Sequence, residues 1–381
     1  LIKIIYFMKK IISVLLIALL IDIILSNLIF KNTIYWSNSS WDQKWWRVSS
    51  KIYHHDILPN IDQVEEWGGK LRKRLITNSI GFRDKEIRKI SKVNKTQKRI
   101  LLIGDSFIEG AGLDFEFTLA GMLEKNLGDK FEVLNSAVGS YSPSIYYKKI
   151  EHYINEGFKF DQALVFLDIS DIYDEMFIKF DPDGNILTYE ETKKRPFHKK
   201  VFYSLGTFLR DNSTIFRFLN IISDRAELTK NYLKLKNKTS KDLKKSFLET
   251  KRDDVMFYRM THVDRGFWTY NEQKFNEIQD GLLQSEKYLI KLFELLKSHQ
   301  INSTLIVYPW PTQIFYGDKY HENYWRNFTK NNDINFLSIY DQFMGENKKD
   351  FIFKNFIYGD IHWNLNGTKL VNEKLIKSII F

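Results

Sequence analysis

The chain has 381 residues, 44% of them apolar and 15% aromatic, which is enough for one large domain with insertions or for two modest domains. It contains no cysteine, which excludes disulfides, thiolate metal sites and a cysteine nucleophile. The formal net charge is +10, but the lysines are scattered and no nucleic-acid motif accompanies them. We therefore predict no nucleic-acid partner, and instead a basic surface near anionic lipid or acidic polysaccharide.

The first predicted element is a membrane-spanning helix over residues 11–30, which are almost wholly apolar. Twenty residues at a rise of 1.5 Å span about 30 Å, the thickness of a bilayer core. Asp22 lies inside the run and costs about 2.5–3.5 kcal/mol, while each Leu, Ile, Val or Phe returns about 0.3–0.6 kcal/mol. The run holds fifteen such residues, so insertion is favoured.

The flanks of this run predict an uncleaved, single-pass anchor over residues 1–31. No A-x-A-like cleavage site follows the run, which disfavours the alternative of a cleaved signal peptide. Lys9 and Lys10 precede the run, so we expect the N-terminus inside the cytoplasm and the remainder outside it, in the periplasm or at the cell surface. Met8 before these lysines has the form of a start, so residues 1–7 are interpreted as preceding the mature protein.

Residues 32–97 form a predicted connecting extension between the anchor and the core of the protein. The extension carries four tryptophans close to the predicted membrane surface, where amphipathic rings are favoured. Packing against the globular part is the alternative interpretation. These tryptophans are Trp36, Trp41, Trp45 and Trp46.

From residue 98 onward, short apolar runs alternate with helical spacing, which predicts an α/β domain with a parallel sheet covered on both faces. We assign residues 98–381 to this domain and expect about five parallel strands. The predicted strands are residues 99–103, 131–134, 163–169, 303–308 and 335–339, the last being the weakest. The predicted helices are residues 117–127, 144–157, 277–298 and 366–379.

Residues from about 181 to 275 break this rhythm and form a predicted, mainly helical insertion. The segment is rich in lysine and aromatic residues and has helical stretches over residues 216–222 and 241–248. A cap over the site and a surface decoration are both open interpretations. The segment Asp181-Pro182-Asp183-Gly184-Asn185 is interpreted as a tight turn, because the twelfth position of a calcium loop would need a Glu where Thr192 stands.

Ser106 and the pair Asp360 and His362 are the parts of a serine hydrolase. Ser106 follows the first apolar run directly, which places it at the carboxyl end of the predicted sheet, where open α/β sheets bind ligands. A serine nucleophile needs a general base, and His362 is the best candidate among eight histidines. Asp360 lies two positions earlier, from where its carboxylate could orient the imidazole.

The motifs resemble those of the SGNH (GDSL-like) hydrolase family in a membrane-anchored form. The resemblance covers residues 53–180 and 277–381, and residues 77–84 look like the segment that precedes the core in anchored members. It implies a flavodoxin-like three-layer sandwich, an SGNH-type hydrolase domain and no cofactor or metal. The matching blocks are Gly104-Asp105-Ser106, Asn135-Ser136-Ala137-Val138-Gly139, Asp168-Ile169-Ser170-Asp171 and Asp360-Ile361-His362.

The resemblance also implies an oxyanion hole made by the N–H groups of Ser106 and Gly139. In the third block, Ser170 stands in place of the family's Asn and Asp168 in place of its Gly, so the hydroxyl of Ser170 is the predicted third donor. Residues predicted to support the site or to line the substrate pocket are Asp105, Asn135, Asp168, Asp171, Trp310 and Trp363. Trp363 has two open interpretations, stacking on a sugar and packing in the core.

One polar cluster lies outside these motifs. His54-His55-Asp56 is interpreted as a surface loop, since no further metal ligands cluster with it.

The leading function is a serine-dependent hydrolase of acyl esters, with O-acetyl groups on cell-envelope carbohydrate as the expected substrate. Because the D-x-H block followed by Trp363 is also similar to the SGNH domains of polysaccharide O-acetyltransferases, acyl transfer is one alternative. A non-catalytic carbohydrate-binding or assembly module is another.

Overall fold

The computed structural model describes residues 2–30, 45–67, 71–188, 191, 197–235, 250–345 and 347–379. Trp36, Trp41, Thr192 and the helix predicted over residues 241–248 lie outside the described residues. The chain divides into two compact units. The helical unit is Leu1–Lys44, Glu66–Leu71 and Lys194–Val255, and the sheet unit is Trp45–Glu65, Arg72–Lys193 and Met256–Phe381.

Ten strands are present in the described part of the chain, and eight of them form one sheet. The strands are β1 Arg47–Ser50, β2 His54–Ile57, β3 Asp62–Trp67, β4 Leu71–Thr77, β5 Arg83–Asp84, β6 Lys98–Ile103, β7 Phe131–Asn135, β8 Gln162–Leu167, β9 Asn302–Val307 and β10 Asn335–Ser338. The sheet order is β10-β9-β8-β6-β7-β5-β4-β3, and β1 pairs with β2 as a separate antiparallel ribbon.

The predicted parallel sheet is confirmed. Strands β6 to β10 are parallel to one another, and counted along the chain their spatial order is 2-1-3-4-5, the flavodoxin-like arrangement. The central strand β8 reads Gln-Ala-Leu-Val-Phe-Leu and is buried at every position. Burial of alternating side chains on both faces requires cover on both faces, which is why the strand is a continuous apolar run.

The helices of the described residues alternate with these strands and extend through the insertion. They are α1 Ile2–Leu25, α2 Ser106–Glu109, α3 Leu119–Leu127, α4 Pro143–Asn155, α5 Asp171–Glu175, α6 Phe197–Asn212, α7 Thr214–Leu235, α8 Arg252–Thr261, α9 Glu272–Glu277, α10 Gln279–Ser298, α11 Pro311–Tyr316, α12 Tyr320–Asn331, α13 Tyr340–Phe343, α14 Lys348–Asn355 and α15 Leu365–Ser378. Helix α4 packs on α10, and α3 packs on α15, which gives the helical layers of the sandwich.

The insertion is mainly helical, as predicted. It contains α6 to α9, and the helix predicted over residues 216–222 lies within α7. The segment that begins at Asp181 forms the expected tight turn, because the Asp181 side chain accepts from the N–H groups of Asp183 and Asn185 at 3.0 and 2.8 Å. Within the helical unit, α6 and α7 are separated by the single residue Ser213, the α6–α7 turn, whose side chain caps α7 by accepting from the N–H of Phe216 at 3.0 Å.

Helix α1 is the described segment long and apolar enough to cross a membrane. The span is Tyr6–Ile29, with a mean hydropathy of 2.6, and it continues from α1 into a π-helical turn at Ser26–Phe30. A signal sequence has the same length and composition, so these properties show a membrane-compatible helix rather than its orientation.

The extension before residue 98 holds structure that the sequence did not predict. Strands β5, β4 and β3 continue the sheet beyond β7, and β5 is antiparallel to both β7 and β4. The interpretation of His54-His55-Asp56 as a surface loop is wrong, because these residues lie in β2 with exposures of 8%, 6% and 7%. Burial is possible because Asp56 accepts from Lys149 Nζ and from the Tyr53 hydroxyl, both at 2.8 Å.

Candidate active site

Ser106 begins α2 at a tight turn after β6. The turn requires a glycine at position 104, since a Cβ there would lie 2.6 Å from Ile108 Cγ1 and 3.3 Å from Phe166 Cβ. Asp105 caps α2 by accepting from the N–H of Phe107 at 3.0 Å. The turn therefore fixes the backbone of Ser106 at the carboxyl end of the central sheet, as the sequence predicts.

Ser106, His362 and Asp360 come together in the structure, although 256 positions separate Ser106 from His362. The Ser106 Oγ lies 2.7 Å from His362 Nε2, and His362 Nδ1 lies 2.5 Å from Asp360 Oδ1. Asp360 Oδ1 also accepts from the backbone N–H of His362 at 3.0 Å. Because a carboxylate accepts at Nδ1, the neutral ring carries its proton there and presents Nε2 as an acceptor to the serine.

The loop that carries His362 is held from both sides. Asn364 caps α15 by accepting from the N–H groups of Asn366 and Gly367 at 2.9 and 3.2 Å. The Phe107 ring lies 4.5 Å from the His362 ring, centroid to centroid. Burial disfavours the charged imidazolium, but the Asp360 carboxylate outweighs it and raises the pKa of His362 above its ordinary value. The imidazole is thus placed and tuned to accept a proton from Ser106.

A second carboxyl group contacts the same hydroxyl. Asp105 Oδ2 lies 3.0 Å from Ser106 Oγ, so the single proton of the serine faces two acceptors. Burial, followed by the neighbouring charge of Asp168, raises the pKa of Asp105 to about 7. Oxygens of Asp105, Asp168 and Asp171 lie within 4.8 Å of one another. Like charges this close and this buried favour retention of a proton in the cluster.

Asp168 and Asp171 are buried supports of the loop after β8. Asp168 Oδ1 accepts from the N–H and the hydroxyl of Ser170 at 2.6 and 2.7 Å, and its Oδ2 accepts from Trp310 Nε1 at 2.8 Å. Asp171 Oδ2 accepts from the N–H of Asp168 at 2.8 Å and from the Tyr146 hydroxyl at 2.7 Å. Burial raises the pKa of Asp171 well above its ordinary value.

Two of the predicted oxyanion donors face other acceptors in this structure. The hydroxyl of Ser170 donates to Asp168, and the N–H of Gly139 donates to Glu109 Oε2 at 2.8 Å. The N–H of Ser106 has no acceptor among the described residues. The assignment of Gly139 and Ser170 to an oxyanion hole therefore stays a prediction, and Ser106 is the donor that the geometry leaves available.

Asn135 shapes the second block rather than the reacting serine. Its Nδ2 donates to the carbonyl of Ile108 at 2.7 Å, and its Oδ1 accepts from the N–H of Ala137 at 3.2 Å. Asn135 thus connects the loop after β7 to the helix that begins at Ser106.

The two tryptophans predicted near the substrate lie inside the protein. Trp310 is fully buried, which argues against the prediction that it forms a pocket wall; its N–H instead finds the Asp168 carboxylate. Trp363 is 2% exposed and packs against Tyr308 and Phe107, with ring centroids 4.7 and 4.9 Å away. Of its two open interpretations, packing in the core is the one observed. Trp310 therefore holds Asp168 directly, and Trp363 packs against Phe107, the ring that contacts His362.

A buried ionic network behind Ser106 was missed by sequence reasoning. Glu109, the last residue of α2, is 2% exposed and accepts from Arg47 Nη2 at 2.6 Å and from Lys73 Nζ at 3.3 Å. Burial alone would raise its pKa, but Arg47 and Lys73 reverse this effect and hold the pKa of Glu109 well below the ordinary value. The same carboxylate holds the Gly139 N–H, so charges from the extension fix a loop of the site.

Arg83 adds a second tie between the extension and α2. It is 2% exposed and donates to the carbonyls of Glu109, Gly110 and Leu113 beyond the end of that helix. The available sequence signal for Glu109 was a charged residue three positions after the serine, within an otherwise apolar turn. Its partners come from other strands, and no local pattern identifies them.

Comparison with known proteins gives similarity of structure only. No protein-family model matches the chain, and a search of curated proteins finds no match. Solved structures that match include a GDSL-like lipase from Bacteroides thetaiotaomicron, with 10% identity, 76% of this chain and 91% of that chain covered, and a TM-score of 0.38. A carbohydrate acetylesterase family member from Sinorhizobium meliloti matches with 10% identity, 73% and 95% coverage, and a TM-score of 0.35.

A member of the lipolytic G-D-S-L family from Veillonella parvula matches with 10% identity, 74% and 98% coverage, and a TM-score of 0.36. All three solved structures are therefore covered almost along their full length by this chain. Because the identities and TM-scores are low, the functional proposal is based on the side chains of this protein.

Proposed function

We propose that this protein is a serine-dependent acyl-ester hydrolase of the SGNH type. The observation that carries the proposal is the relay from Ser106 Oγ to His362 Nε2 at 2.7 Å and from His362 Nδ1 to Asp360 at 2.5 Å. Nucleophile and base lie within hydrogen-bond reach, and a third group orients the base, which is the arrangement that acyl transfer to serine requires.

The reaction proceeds through an acyl-enzyme. Ser106 Oγ attacks the acyl carbonyl while His362 Nε2 takes its proton, and Asp360 stabilises the imidazolium that results. The oxyanion accepts from the Ser106 N–H, with Gly139 and Ser170 as further donors once they release their present acceptors. His362 then protonates the departing alcohol, and the same ring activates water to cleave the acyl-enzyme and restore free Ser106.

The proposed substrate is a short acyl ester, with O-acetyl groups on cell-envelope carbohydrate as the substrate class. The proposed location is outside the cytoplasm, with α1 as an uncleaved membrane anchor, because Lys9 and Lys10 flank the N-terminal side of the apolar span. If a sugar hydroxyl instead of water attacks the acyl-enzyme, the same relay performs acyl transfer, which is the alternative reaction.

The decisive test measures hydrolysis of a short-chain aryl ester by the purified full chain and by Ser106→Ala. We expect Ser106→Ala to lose nearly all turnover, since removing a triad member typically costs about 10⁴–10⁶ in rate. Ser298→Ala, which changes an exposed serine in α10, is the matched control and should keep wild-type rates. Turnover that persists in Ser106→Ala would overturn the assignment of the nucleophile.

A fluorophosphonate probe separates the proposed enzyme from a non-catalytic carbohydrate-binding module. That alternative is favoured by the engagement of the Gly139 and Ser170 donors with other acceptors. The proposed hydrolase should react covalently with the probe at Ser106 and lose this labelling in Ser106→Ala. An unlabelled wild-type protein that still binds acetylated polysaccharide would favour the binding module.

A further inference from the structure

The helical unit exposes a group of large apolar side chains around the connection between α6 and α7. Their exposures range from 48% to 61%, which is unusual for a surface in water when so many lie together. The sequence of α7 changes character along its length: residues 214–222 are apolar except for Thr214, Arg217 and Asn220, and the part from Ser223 onward is mostly polar. The exposed apolar residues are Leu205, Phe208, Ile215, Phe218, Leu219, Ile221 and Ile222.

The α6–α7 turn is joined to the apolar span of α1 by polar contacts. Ser213 Oγ donates to Asp22, and the N–H of Thr214 donates to Ser26 Oγ at 2.9 Å. Ser26 Oγ also lies 2.7 Å from Thr214 Oγ1, and the N–H of Ile215 lies 3.4 Å from Asp22 Oδ1. Asp22, Ser26 and Ser213 are buried, so the first N–H groups of α7 are capped by side chains of α1.

These contacts place the turn at a defined depth along the apolar span. Eight residues separate Asp22 from Phe30, which corresponds to roughly 12 Å of helix. Nine residues separate Thr214 from Ser223, where α7 becomes polar, which corresponds to roughly 13 Å. The apolar part of α7 and the remainder of the apolar span beyond Asp22 thus have nearly equal lengths.

From these observations we propose that the α6–α7 turn inserts into the acyl-chain region of the bilayer beside α1, as a second membrane contact. The inference rests on the membrane-anchor part of the proposed function and not on the hydrolase reaction. Lipid is the proposed partner of the exposed apolar side chains. It also explains an acidic residue within a membrane span, since Asp22 serves as the polar cap that the inserted turn needs.

The charged side chains near the α6–α7 turn are partly withdrawn from the surface. Asp211 is 7% exposed and lies 3.7 Å from Arg210, whose side chain is 34% exposed, and Arg217 is half-buried. Beyond Ser223, the polar half of α7 exposes three basic side chains, Arg225, Lys230 and Lys234, and two acidic ones, Asp224 and Glu227. The basic side chains would lie at the level of the lipid headgroups, where anionic lipid attracts them.

The absence of cysteine makes a direct depth measurement practicable. Phe218→Cys in the full chain is labelled with a polarity-sensitive fluorophore and reconstituted into vesicles of equal parts phosphatidylcholine and phosphatidylglycerol. Lipids brominated in the middle of the acyl chain then quench only labels that lie within the bilayer. Leu16→Cys in α1 reports on the anchor itself, and Lys234→Cys at the polar end of α7 is the aqueous control.

We expect the label at Phe218 to be blue-shifted and quenched as strongly as the label at Leu16, while the label at Lys234 is not quenched. Quenching at Leu16 without quenching at Phe218 would overturn the inserted turn and leave the anchor intact. Loss of quenching at both positions would overturn the anchor as well. Ile222→Cys provides a second position if Phe218→Cys does not fold.

A protein partner for this surface gives a different result. In that case the label at Phe218 would remain exposed to water in vesicles of pure lipid and would become shielded only when other membrane proteins are added. Shielding that depends on the protein density in the vesicle would indicate a second copy of this chain. Either outcome contradicts the lipid proposal, and the aryl-ester assay on the same vesicles reports separately on the hydrolase.

Discussion

Two carboxyl groups, those of Asp360 and Asp105, act on the hydroxyl of Ser106, one through His362 and one by direct contact. Asp360 acts through the far nitrogen of His362, whereas Asp105 contacts the hydroxyl directly at 3.0 Å. An ionised Asp105 competes with His362 for the only proton that Ser106 can donate. Because burial and Asp168 raise the pKa of Asp105 to about 7, a protonated Asp105 removes that competition as the pH falls. The residue next to the nucleophile therefore influences which acceptor holds the serine proton.

The pH dependence of the reaction tests the role of His362. Its pKa is raised, so the neutral form needed as a base predominates only above that value, and kcat/KM should fall as the pH drops towards and below the ordinary histidine value of about 6.5. The measurement is kcat/KM for a neutral aryl ester across pH. An activity that stays constant through this range would contradict a histidine base.

Asp105→Asn is the control for this profile, because Asn retains the ability to cap α2 while it cannot ionise. If the acid limb persists in Asp105→Asn, the limb belongs to His362. If the limb disappears in that variant, the titrating group is Asp105, and the base assignment fails.

Asp360→Asn should in addition lower kcat by about 10⁴, since the imidazolium loses its partner.

Glu109 is predicted to contribute strongly to stability. Glu109→Gln removes the carboxylate that pairs with Arg47 and Lys73, and loss of one partner from a buried ion pair costs about 3–5 kcal/mol. The free energy of unfolding from urea titration is the measurement. Glu124→Gln is the control, because its pair with Lys85 is partly exposed and should contribute no more than about 1 kcal/mol.

The same carboxylate makes a pH-dependent contribution with a definite sign. The folded-state pKa of Glu109 is lowered, so its contribution is fully present above the ordinary glutamate pKa and is lost as the pH falls through the lowered one. The stability difference between wild type and Glu109→Gln should therefore shrink on acidification. A difference that is small at neutral pH and unchanged by acid would contradict the network.

At the scale of elements, the turn from β6 into α2 depends on the missing side chain at position 104. Gly104→Ala would place a methyl group 2.6 Å from Ile108 Cγ1, so either α2 or its packing must shift. We expect a loss of about 1–3 kcal/mol in the free energy of unfolding and a reduced kcat. Gly345→Ala, whose added Cβ would meet its nearest atom at 3.5 Å, should change neither quantity appreciably.

The elements differ in how far their sequences could predict them. The parallel strands were identified because a strand buried on both faces is a continuous apolar run, as in β8. The strands of the extension were not identified, because β2 holds the polar residues His54, His55 and Asp56. Their burial depends on partners such as Lys149 far along the chain.

The residues of the site also divide into those that the sequence could predict and those that it could not. Ser106, Asp360 and His362 were proposed from motif spacing, and the structure brings their side chains together. The burial of Trp310 could not be foreseen, since an aromatic residue at a strand end suits a pocket wall and a core equally well. Glu109 was missed because its role depends on ion pairs with Arg47 and Lys73, which come from two strands of the extension.

At the scale of the whole molecule, the proposed topology predicts an N-terminus and a sheet unit on opposite sides of the membrane. Single cysteines at Met8 and at exposed Ser298 can be compared in spheroplasts with a membrane-impermeant maleimide. We expect modification at position 298 and protection at position 8 until the membrane is permeabilised. The reverse pattern would invert the topology, and release of the protein by alkaline extraction would contradict an integral anchor.

The buried charges of Glu109 have a consequence for any attempt to shorten the protein. A fragment that starts at residue 98 would keep Ser106, Asp360 and His362 but would lose Arg47, Lys73 and Arg83, leaving a carboxylate buried without its counter-ions. It would also strip β5 from the side of β7 and open an unpaired strand edge, a surface prone to aggregation. The smallest fragment expected to remain soluble and folded therefore begins upstream of β1, well before the first residue of the triad.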